Sequence, residues 1–354
     1  MSLPRPGLPL VGRVERAPSG MTEWRAAIIL LSRKDLSSRA RSPKPRRPPI
    51  LPALSLPSEP QMTSQTSYFA PTGGHPPQTQ LLTDRAVFTD AYAVIPKGTM
   101  RDIVTSFLPF WQDTRLWVLS RPLSGFAETF SQYIMEVQPG GGSDHPETDA
   151  GAEGVLFVVG GEATLTVEGE THVLREGGYA FLPPATLWTL RNAGEDVLRF
   201  HWIRKAYEAV PGLPHPEVII ANEQDIAPTP MPGTDGKWAT TRFVDPTDLR
   251  HDMHVTVVTF EPGAVIPFAE THVMEHGLYV LEGKAVYRLN QDWVEVEAGD
   301  YMWLRAFCPQ ACYAGGPGRF RYLLYKDVNR HMALRPSGPA QPMPVPKMVS
   351  ATVA

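Results

Sequence analysis

Three potential metal ligands lie close together in the stretch ETHVMEHG, which begins at Glu270. Glu270, His272 and His276 all have even numbers, so an extended strand would direct their side chains to the same face. One carboxylate and two imidazoles, without a thiolate, suit Mn²⁺ or Fe²⁺ better than zinc. The spacing therefore predicts a metal site at the mouth of a β-barrel, completed by a ligand from a neighbouring strand.

The composition is that of a globular protein, because 42% of the 354 residues are apolar and 20% are charged. No apolar run approaches the roughly 20 residues that a membrane helix requires. The net charge is -4, yet residues 1–61 hold 11 Lys and Arg against 4 Asp and Glu, which leaves an acidic body. An acidic body argues against nucleic acid as a partner, and we predict a small-molecule substrate and no membrane association.

The segments that must position these ligands are short runs of β-branched and aromatic residues separated by Gly, Pro and Asn turns. GVLFVVGGEATLTVEG and GLYVLEGKAVYRLNQDWVEV are two examples. Convincing helical periodicity is scarce. The sequence therefore predicts an all-β protein built of sandwiches or barrels.

An internal repeat indicates two copies of one β module. Residues 156–184 align without a gap onto residues 278–306, at a constant offset of 122. The same offset relates 199–205 to 321–327. An ungapped match of this length indicates two modules in tandem.

We predict four segments along the chain. They are a basic Pro- and Arg-rich extension at 1–61, an N-terminal module at 62–215, a C-terminal module at 216–335, and a Pro-rich tail at 336–354. The extension has no strand or helix period, so we expect it to be disordered. It is open to three interpretations: an organelle transit peptide, an interaction tail, or sequence translated from a start codon upstream of Met62. We predict a cytoplasmic location, with organelle targeting by the extension left open.

The spacing around the ligands resembles the first motif of the cupin family, G-x5-H-x-H-x3,4-E-x6-G. Here Gly263, Glu270, His272, His276 and Gly283 follow the related order G-x6-E-x-H-x3-H-x6-G. Glu stands where the first His is common, His stands where the Glu is common, and one residue is added after the first glycine. The resemblance implies a bicupin, with two jelly-roll-like barrels in one chain.

The second cupin motif fits from Gly299 by spacing alone, and its His position falls on Gln310. The implied metal ligands are Glu270, His272, His276 and Gln310. Subtracting 122 from those four positions gives residues that are not usual metal ligands, namely Thr148, Ala150, Gly154 and Trp188. We therefore predict that only the C-terminal barrel binds metal. His145 and Glu153 lie nearby but off this register, and we interpret both as polar loop residues rather than as an independent site.

A narrower resemblance covers residues 82 to 332. ETHVMEHG, N-x-x-W at 290–293, GDY at 299–301 and KDVNR at 326–330 resemble the C-terminal module of (S)-ureidoglycine aminohydrolases, a bicupin family of allantoin and purine catabolism. The stretch EGGYAFLPPATLWTLRNA at 176–193 is similar to the corresponding N-terminal module.

This family resemblance implies a Mn²⁺-dependent hydrolase that converts (S)-ureidoglycine and water to (S)-ureidoglycolate and ammonia. It implies catalytic roles for Glu270, Tyr322 and Lys326, and substrate contacts by these residues and Gln310. Without the resemblance, Lys326 would be interpreted as a surface lysine. Water would attack directly or would add to an imine after ammonia leaves, and the residues do not separate the two routes.

Two other functions compete with this hydrolase. Two histidines and one carboxylate are also the ligand set of non-haem Fe²⁺ oxygenases, so a cupin dioxygenase is the first alternative. A non-catalytic bicupin that binds or stores a small molecule is the second. Because unpaired sheet edges favour association, we expect a homo-oligomer for all three functions.

Overall fold

The computed structural model describes residues 85–97, 108–122, 125–327 and 330. The predicted extension at 1–61 and the tail at 336–354 lie outside these ranges. Among the described residues, regular structure is almost entirely β-strand, and the one helical element is a 3₁₀ turn at Glu223–Asp225. In this part of the chain no helix has the length and apolar character to cross a membrane. The predicted all-β class is confirmed.

The first eleven strands run to the start of the C-terminal module. They are β1 Val87–Phe88, β2 Tyr92–Ile95, β3 Trp111–Ser120, β4 Phe130–Ser143, β5 Ala152–Gly160, β6 Ala163–Val167, β7 Glu170–Leu174, β8 Gly178–Leu182, β9 Trp188–Arg191, β10 Leu198–Ala206 and β11 Ile219–Asn222. The remaining ten are β12 Thr229–Pro230, β13 Trp238–Arg242, β14 His254–Phe260, β15 Val265–Glu270, β16 His276–Glu282, β17 Lys284–Leu289, β18 Asp292–Glu297, β19 Tyr301–Leu304, β20 Gln310–Tyr313 and β21 Phe320–Lys326.

Each module folds around its own sheets. In the N-terminal module a nine-stranded sheet has the order β11-β8-β5-β10-β4-β9-β6-β7, with β3 paired to β4. The C-terminal module has an eight-stranded sheet, β1-β2-β19-β16-β21-β14-β13-β12, and a four-stranded sheet, β15-β20-β17-β18. The pairings are antiparallel, as expected for strands joined by short turns.

The two modules exchange edge strands. Strands β1 and β2 lie within the predicted N-terminal segment of the chain, yet β2 pairs with β19 of the C-terminal sheet, with Tyr92 opposite Leu304. Conversely, β11 follows the N-terminal module and pairs with β8, with Ile219 opposite Phe181. Each exchange covers a sheet edge that would otherwise be open to another chain. The strand pairing crosses the predicted boundary between residues 215 and 216 twice, once where β2 pairs with β19 and once where β11 pairs with β8.

Strand β21 shows how one strand serves two cores. Tyr322 belongs to the core cluster inside the C-terminal barrel, and Lys326 lines the cavity of that barrel. Leu323 and Tyr325 belong instead to the cluster between the modules. There the ring of Tyr325 stacks on Phe130 at a centroid distance of 3.8 Å. The alternation of strand side chains thus points one face to the site and the other to the N-terminal module.

Candidate metal centre

The six residues predicted for the site line one cavity of about 130 Å³ in the C-terminal module. Strand ends supply most of them, and His272 lies in the loop between β15 and β16. The cavity therefore sits at the rim of the barrel, where strands end and backbone geometry is least constrained. The residues concerned are Glu270, His272, His276, Gln310, Tyr322 and Lys326.

Gln310 is the fourth donor that the sequence predicted from spacing. It lies directly opposite Glu270 in the antiparallel pair of β15 and β20. The Gln310 side chain is buried, and its Oε1 atom has no hydrogen-bond partner among the described residues. A buried polar atom left without a partner costs about 1–3 kcal/mol. An amide oxygen in this condition, beside a carboxylate, is a donor available to a cation.

The two imidazoles lie beside Glu270. Glu270 Oε1 is 3.3 Å from His272 Nε2, and the His272 and His276 rings stack at a centroid distance of 5.0 Å. His276 Nδ1 lies 3.1 Å from the carbonyl oxygen of Met274. If Nδ1–H donates to that carbonyl, Nε2 carries the lone pair that a metal requires. Burial, and then the neighbouring His272, lowers the pKa of His276 to about 3, which keeps the ring neutral.

In the described part of the chain no three His, Cys, Asp or Glu side chains converge tightly enough to hold a metal ion as they stand. His272 is the least constrained donor, because it lies half-buried at the cavity mouth. The chemistry of the set nevertheless fits a hard divalent cation. One carboxylate, two imidazoles and one unpartnered amide oxygen line a single cavity.

Sequence reasoning missed two further residues of the cavity, Arg242 and His254. His254 lies opposite Lys326, which in turn lies opposite His276, so three strands bring these side chains to one rim. Burial, and then Arg242, lowers the pKa of Lys326. Burial, and then Lys326, lowers the pKa of His254 to about 4. The even-numbered positions of β13 that end at Arg242 all line the cavity, and this alternation is the signal that would have identified it.

Cupin models match both modules. A EutQ-like cupin domain matches residues 124–207, and a cupin domain matches residues 256–325. The (S)-ureidoglycine aminohydrolase of Escherichia coli K12 is 32% identical over 257 residues, which span 72% of this chain and 95% of that protein. The chain belongs to the (S)-ureidoglycine aminohydrolase family. The predicted bicupin fold is thereby confirmed.

A plant protein and a solved bacterial structure are also similar to this chain. The (S)-ureidoglycine aminohydrolase of Arabidopsis thaliana is 33% identical over 248 residues, covering 70% of this chain and 79% of that one. A solved structure described as a glyoxylate-induced protein of Pseudomonas aeruginosa is 70% identical, with a TM-score of 0.70. The match covers 77% of this chain and 99% of that structure.

The N-terminal module of this aminohydrolase family member has a corresponding cavity of about 190 Å³. It is lined by all four counterparts of the predicted ligands, Thr148, Ala150, Gly154 and Trp188. The offset of 122 therefore relates equivalent places in the two barrels. Glu153, interpreted from the sequence as a polar loop residue, instead lies fully buried in β5. That prediction was wrong because a strand continues further toward the cavity than its sequence suggests.

A charge pair beside the N-terminal cavity has no equivalent at the C-terminal one. In the N-terminal module Arg204 forms an ion pair with Glu147, with Nε 2.5 Å from Oε2. Lys326 is the counterpart of Arg204 at the same offset, and the counterpart of Glu147 is Ala269. Within the described ranges, Lys326 takes part in no salt bridge. The C-terminal cavity thus has the cation without the protein carboxylate that neutralises its N-terminal counterpart.

Tyr322 provides a neutral hydroxyl at the base of the cavity. Tyr287 donates its hydroxyl hydrogen to the Tyr322 oxygen over 3.2 Å, so the Tyr322 hydrogen remains available for another acceptor. Burial raises the pKa of Tyr322, which keeps the phenol protonated. In this family member Tyr322 is therefore a hydrogen-bond donor, and it lies on the same face of β21 as Lys326.

Proposed function

We propose that this protein catalyses the hydrolytic deamination of (S)-ureidoglycine to (S)-ureidoglycolate and ammonia, and that it depends on Mn²⁺ bound in the C-terminal barrel alone. The names of its curated relatives support the reaction. The observation that carries the proposal is the C-terminal cavity, where the set of metal donors lies beside Lys326 and Arg242, which form no ion pair within the described residues.

Glu270, His272, His276 and Gln310 would hold the ion. Manganese suits this donor set, and Fe²⁺ is the other ion that fits it. Bound there, the ion would act as a Lewis acid and a template that orients the substrate. The N-terminal counterparts include neither a carboxylate nor an imidazole, which supports a single metal site for each chain.

The substrate carboxylate would occupy the place that Glu147 fills in the N-terminal barrel. Lys326 would pair with that carboxylate as Arg204 pairs with Glu147. Arg242 adds a planar guanidinium on the same cavity, suited to bidentate contact with a carboxylate. Tyr322 would donate its hydroxyl hydrogen to a ureido or carboxylate oxygen. Together these contacts would orient the central carbon toward Glu270.

Glu270 is the proton carrier of the proposed reaction. The bond from the central carbon to the amine nitrogen breaks, and a bond from that carbon to a water oxygen forms. Glu270 would accept a proton from the attacking water and deliver one to the departing nitrogen, which leaves as ammonia. Its carboxylate is half-buried and lines the cavity.

Metal analysis and ammonia release from the full chain test this proposal. Protein loaded with Mn²⁺ is given freshly generated (S)-ureidoglycine with and without oxygen, and ammonia is measured. We expect ammonia release that does not require oxygen and that is lost in Glu270→Ala. Oxygen consumption would favour the Fe²⁺ dioxygenase. Bound substrate without turnover would favour the non-catalytic bicupin, and either result would overturn the proposal.

We further propose a homo-oligomer, a cytoplasmic location, and segment boundaries at 61, 215 and 335. These proposals rest on the sequence. Light scattering on the purified protein, fractionation of the cell and limited proteolysis test them in that order. A monomer in solution, recovery in an organelle fraction, or cleavage confined to other places would contradict them.

A further inference from the structure

Glu275 immediately precedes the proposed ligand His276, yet it faces away from the cavity. Its side chain is 5% exposed, and its carboxylate accepts hydrogen bonds from outside its own loop. Oε1 accepts from the backbone N–H of Glu128 at 2.7 Å and from Trp303 Nε1 at 2.5 Å. Oε2 accepts from the Thr129 backbone N–H at 2.9 Å and from the Thr129 hydroxyl at 2.5 Å. A buried carboxylate with four donors is fully satisfied.

Three of those four donors belong to the N-terminal module. Glu128 and Thr129 follow Ala127, a non-glycine residue in the left-handed region with φ of 62°. This turn presents two successive backbone N–H groups to one anion, an arrangement that binds carboxylates. The left-handed conformation of Ala127 is unfavourable for a residue with a side chain and persists where surrounding contacts compensate for it. The bonds to Glu275 are such contacts.

The backbone of Glu275 extends the connection to the opposite side of the site. Its N–H donates to Asp327 Oδ1 at 2.7 Å, and Asp327 directly follows Lys326. The Thr129 hydroxyl is also 3.0 Å from the hydroxyl of Tyr325, which directly precedes Lys326. Because the Thr129 hydrogen is donated to Glu275, Tyr325 is the donor in that pair. One network thus holds the neighbours of His276 and Lys326 together.

Packing between the modules also restrains the strand that begins at His276. A Cβ atom added to Gly277 would lie 2.7 Å from Cζ of Phe130 and 2.9 Å from Oε1 of Gln132, closer than real contacts allow. Phe130 therefore rests directly on the backbone of the residue that follows His276. It also stacks on Tyr325. The strand that carries the proposed ligand has no room to shift toward the N-terminal module.

We propose that the N-terminal module acts as a clamp on the metal loop, and that Glu275 and Thr129 are positioning residues for His276. The N-terminal barrel, which has no counterparts of the metal ligands, would then contribute to metal affinity by holding the loop between β15 and β16 of the C-terminal module. Hydrogen-bonded residues behind metal ligands typically change metal affinity by about 10–100-fold when substituted. The inference rests on the proposed metal site but not on the identity of the substrate.

Titration of the full-length, metal-free protein with Mn²⁺ alone, followed by electron paramagnetic resonance of the free ion, tests the clamp. Thr129→Val removes the hydroxyl donor and keeps the shape, and Glu275→Gln removes the negative charge. Thr129→Ser retains the hydroxyl. The matched control is Thr114→Val, because Thr114 is buried in the N-terminal module and its hydroxyl donates to the Gln112 carbonyl, away from the loop.

We expect Thr129→Val to weaken Mn²⁺ binding about tenfold and Glu275→Gln to weaken it about 100-fold. Thr129→Ser and Thr114→Val should bind as the unaltered protein does. Excess Mn²⁺ should restore most of kcat in Thr129→Val, since no ligand is lost. Circular dichroism and thermal unfolding of each metal-free variant establish that it is folded.

Two failures are distinguishable. If the unaltered protein binds no Mn²⁺, the proposed metal site is wrong and the clamp falls with it. If the unaltered protein binds Mn²⁺ and folded Thr129→Val binds it equally well, the clamp alone is wrong. An equal loss of affinity in Thr114→Val would also overturn it, because the effect would then be general destabilisation.

Discussion

The buried amide oxygen of Gln310 should make the metal-free protein less stable than a variant with an apolar side chain at this position. Gln310 is 4% exposed and its Oε1 atom has no partner, so the metal-free state bears a cost of about 1–3 kcal/mol. Gln310→Met keeps the length of the side chain and removes the oxygen. Since 1 kcal/mol shifts Tm by about 2–4 °C in a protein of this size, Tm should rise by several degrees.

Mn²⁺ should shift the stability difference between the two proteins in favour of the unaltered protein. An ion at 100 times its Kd stabilises the folded protein by about 2.7 kcal/mol. If Gln310→Met weakens binding about 100-fold, the same concentration contributes about 0.4 kcal/mol. Thermal unfolding followed by calorimetry, with and without Mn²⁺, gives both shifts in one set of measurements. The variant should have the higher Tm without metal, and Mn²⁺ should stabilise it by about 2.3 kcal/mol less than it stabilises the unaltered protein.

Gln132 supplies a matched control for this prediction. It is fully buried, and both polar atoms of its amide lack partners. It contacts Gly277 between the modules and does not line the C-terminal cavity. Gln132→Met should therefore raise the metal-free Tm while lowering the Mn²⁺-induced shift by less than Gln310→Met does, because it removes no donor from the cavity. An undiminished Mn²⁺ shift in Gln310→Met would refute the assignment of Gln310 as a ligand.

Three further outcomes are expected. Arg242→Leu should lower kcat/KM by about 10–100-fold, mainly by raising KM, because a charged hydrogen bond to the substrate is lost in the ground and transition states alike. Steady-state kinetics that show a loss confined to kcat would contradict this. His276→Ala should abolish bound Mn²⁺, and metal analysis that finds a full equivalent remaining would place the ion elsewhere. Burial lowers the pKa of His201 to about 3, below the 6.5 of an exposed imidazole, so only the unfolded chain takes up this proton between those values. Stability should fall by up to about 1.4 kcal/mol for each pH unit below 6.5, and His201→Phe should reduce that slope in urea unfolding at pH 7 and pH 5.

The repeat in the sequence predicted more of the site than the motif spacing alone. Its offset of 122 located Trp188 and the three other positions that line the N-terminal cavity, although none of them has the chemistry of a ligand. Residue parity predicted that Glu270, His272 and His276 would face the same way, and all three line the C-terminal cavity. These predictions succeed because an alternating strand fixes the face of each side chain from its position in the chain.

The sequence by itself determined the β class, the two modules and the donor types at one barrel mouth. Tertiary structure decided which side chains join them. Arg242 and His254 reach Lys326 because β13, β14 and β21 are neighbours in the sheet, and neither residue is near Lys326 in sequence. Two partners of Glu275, Glu128 and Thr129, lie about 147 residues earlier. Periodicity encodes a face, but the contacts across strands and modules depend on register and packing, which no local pattern records.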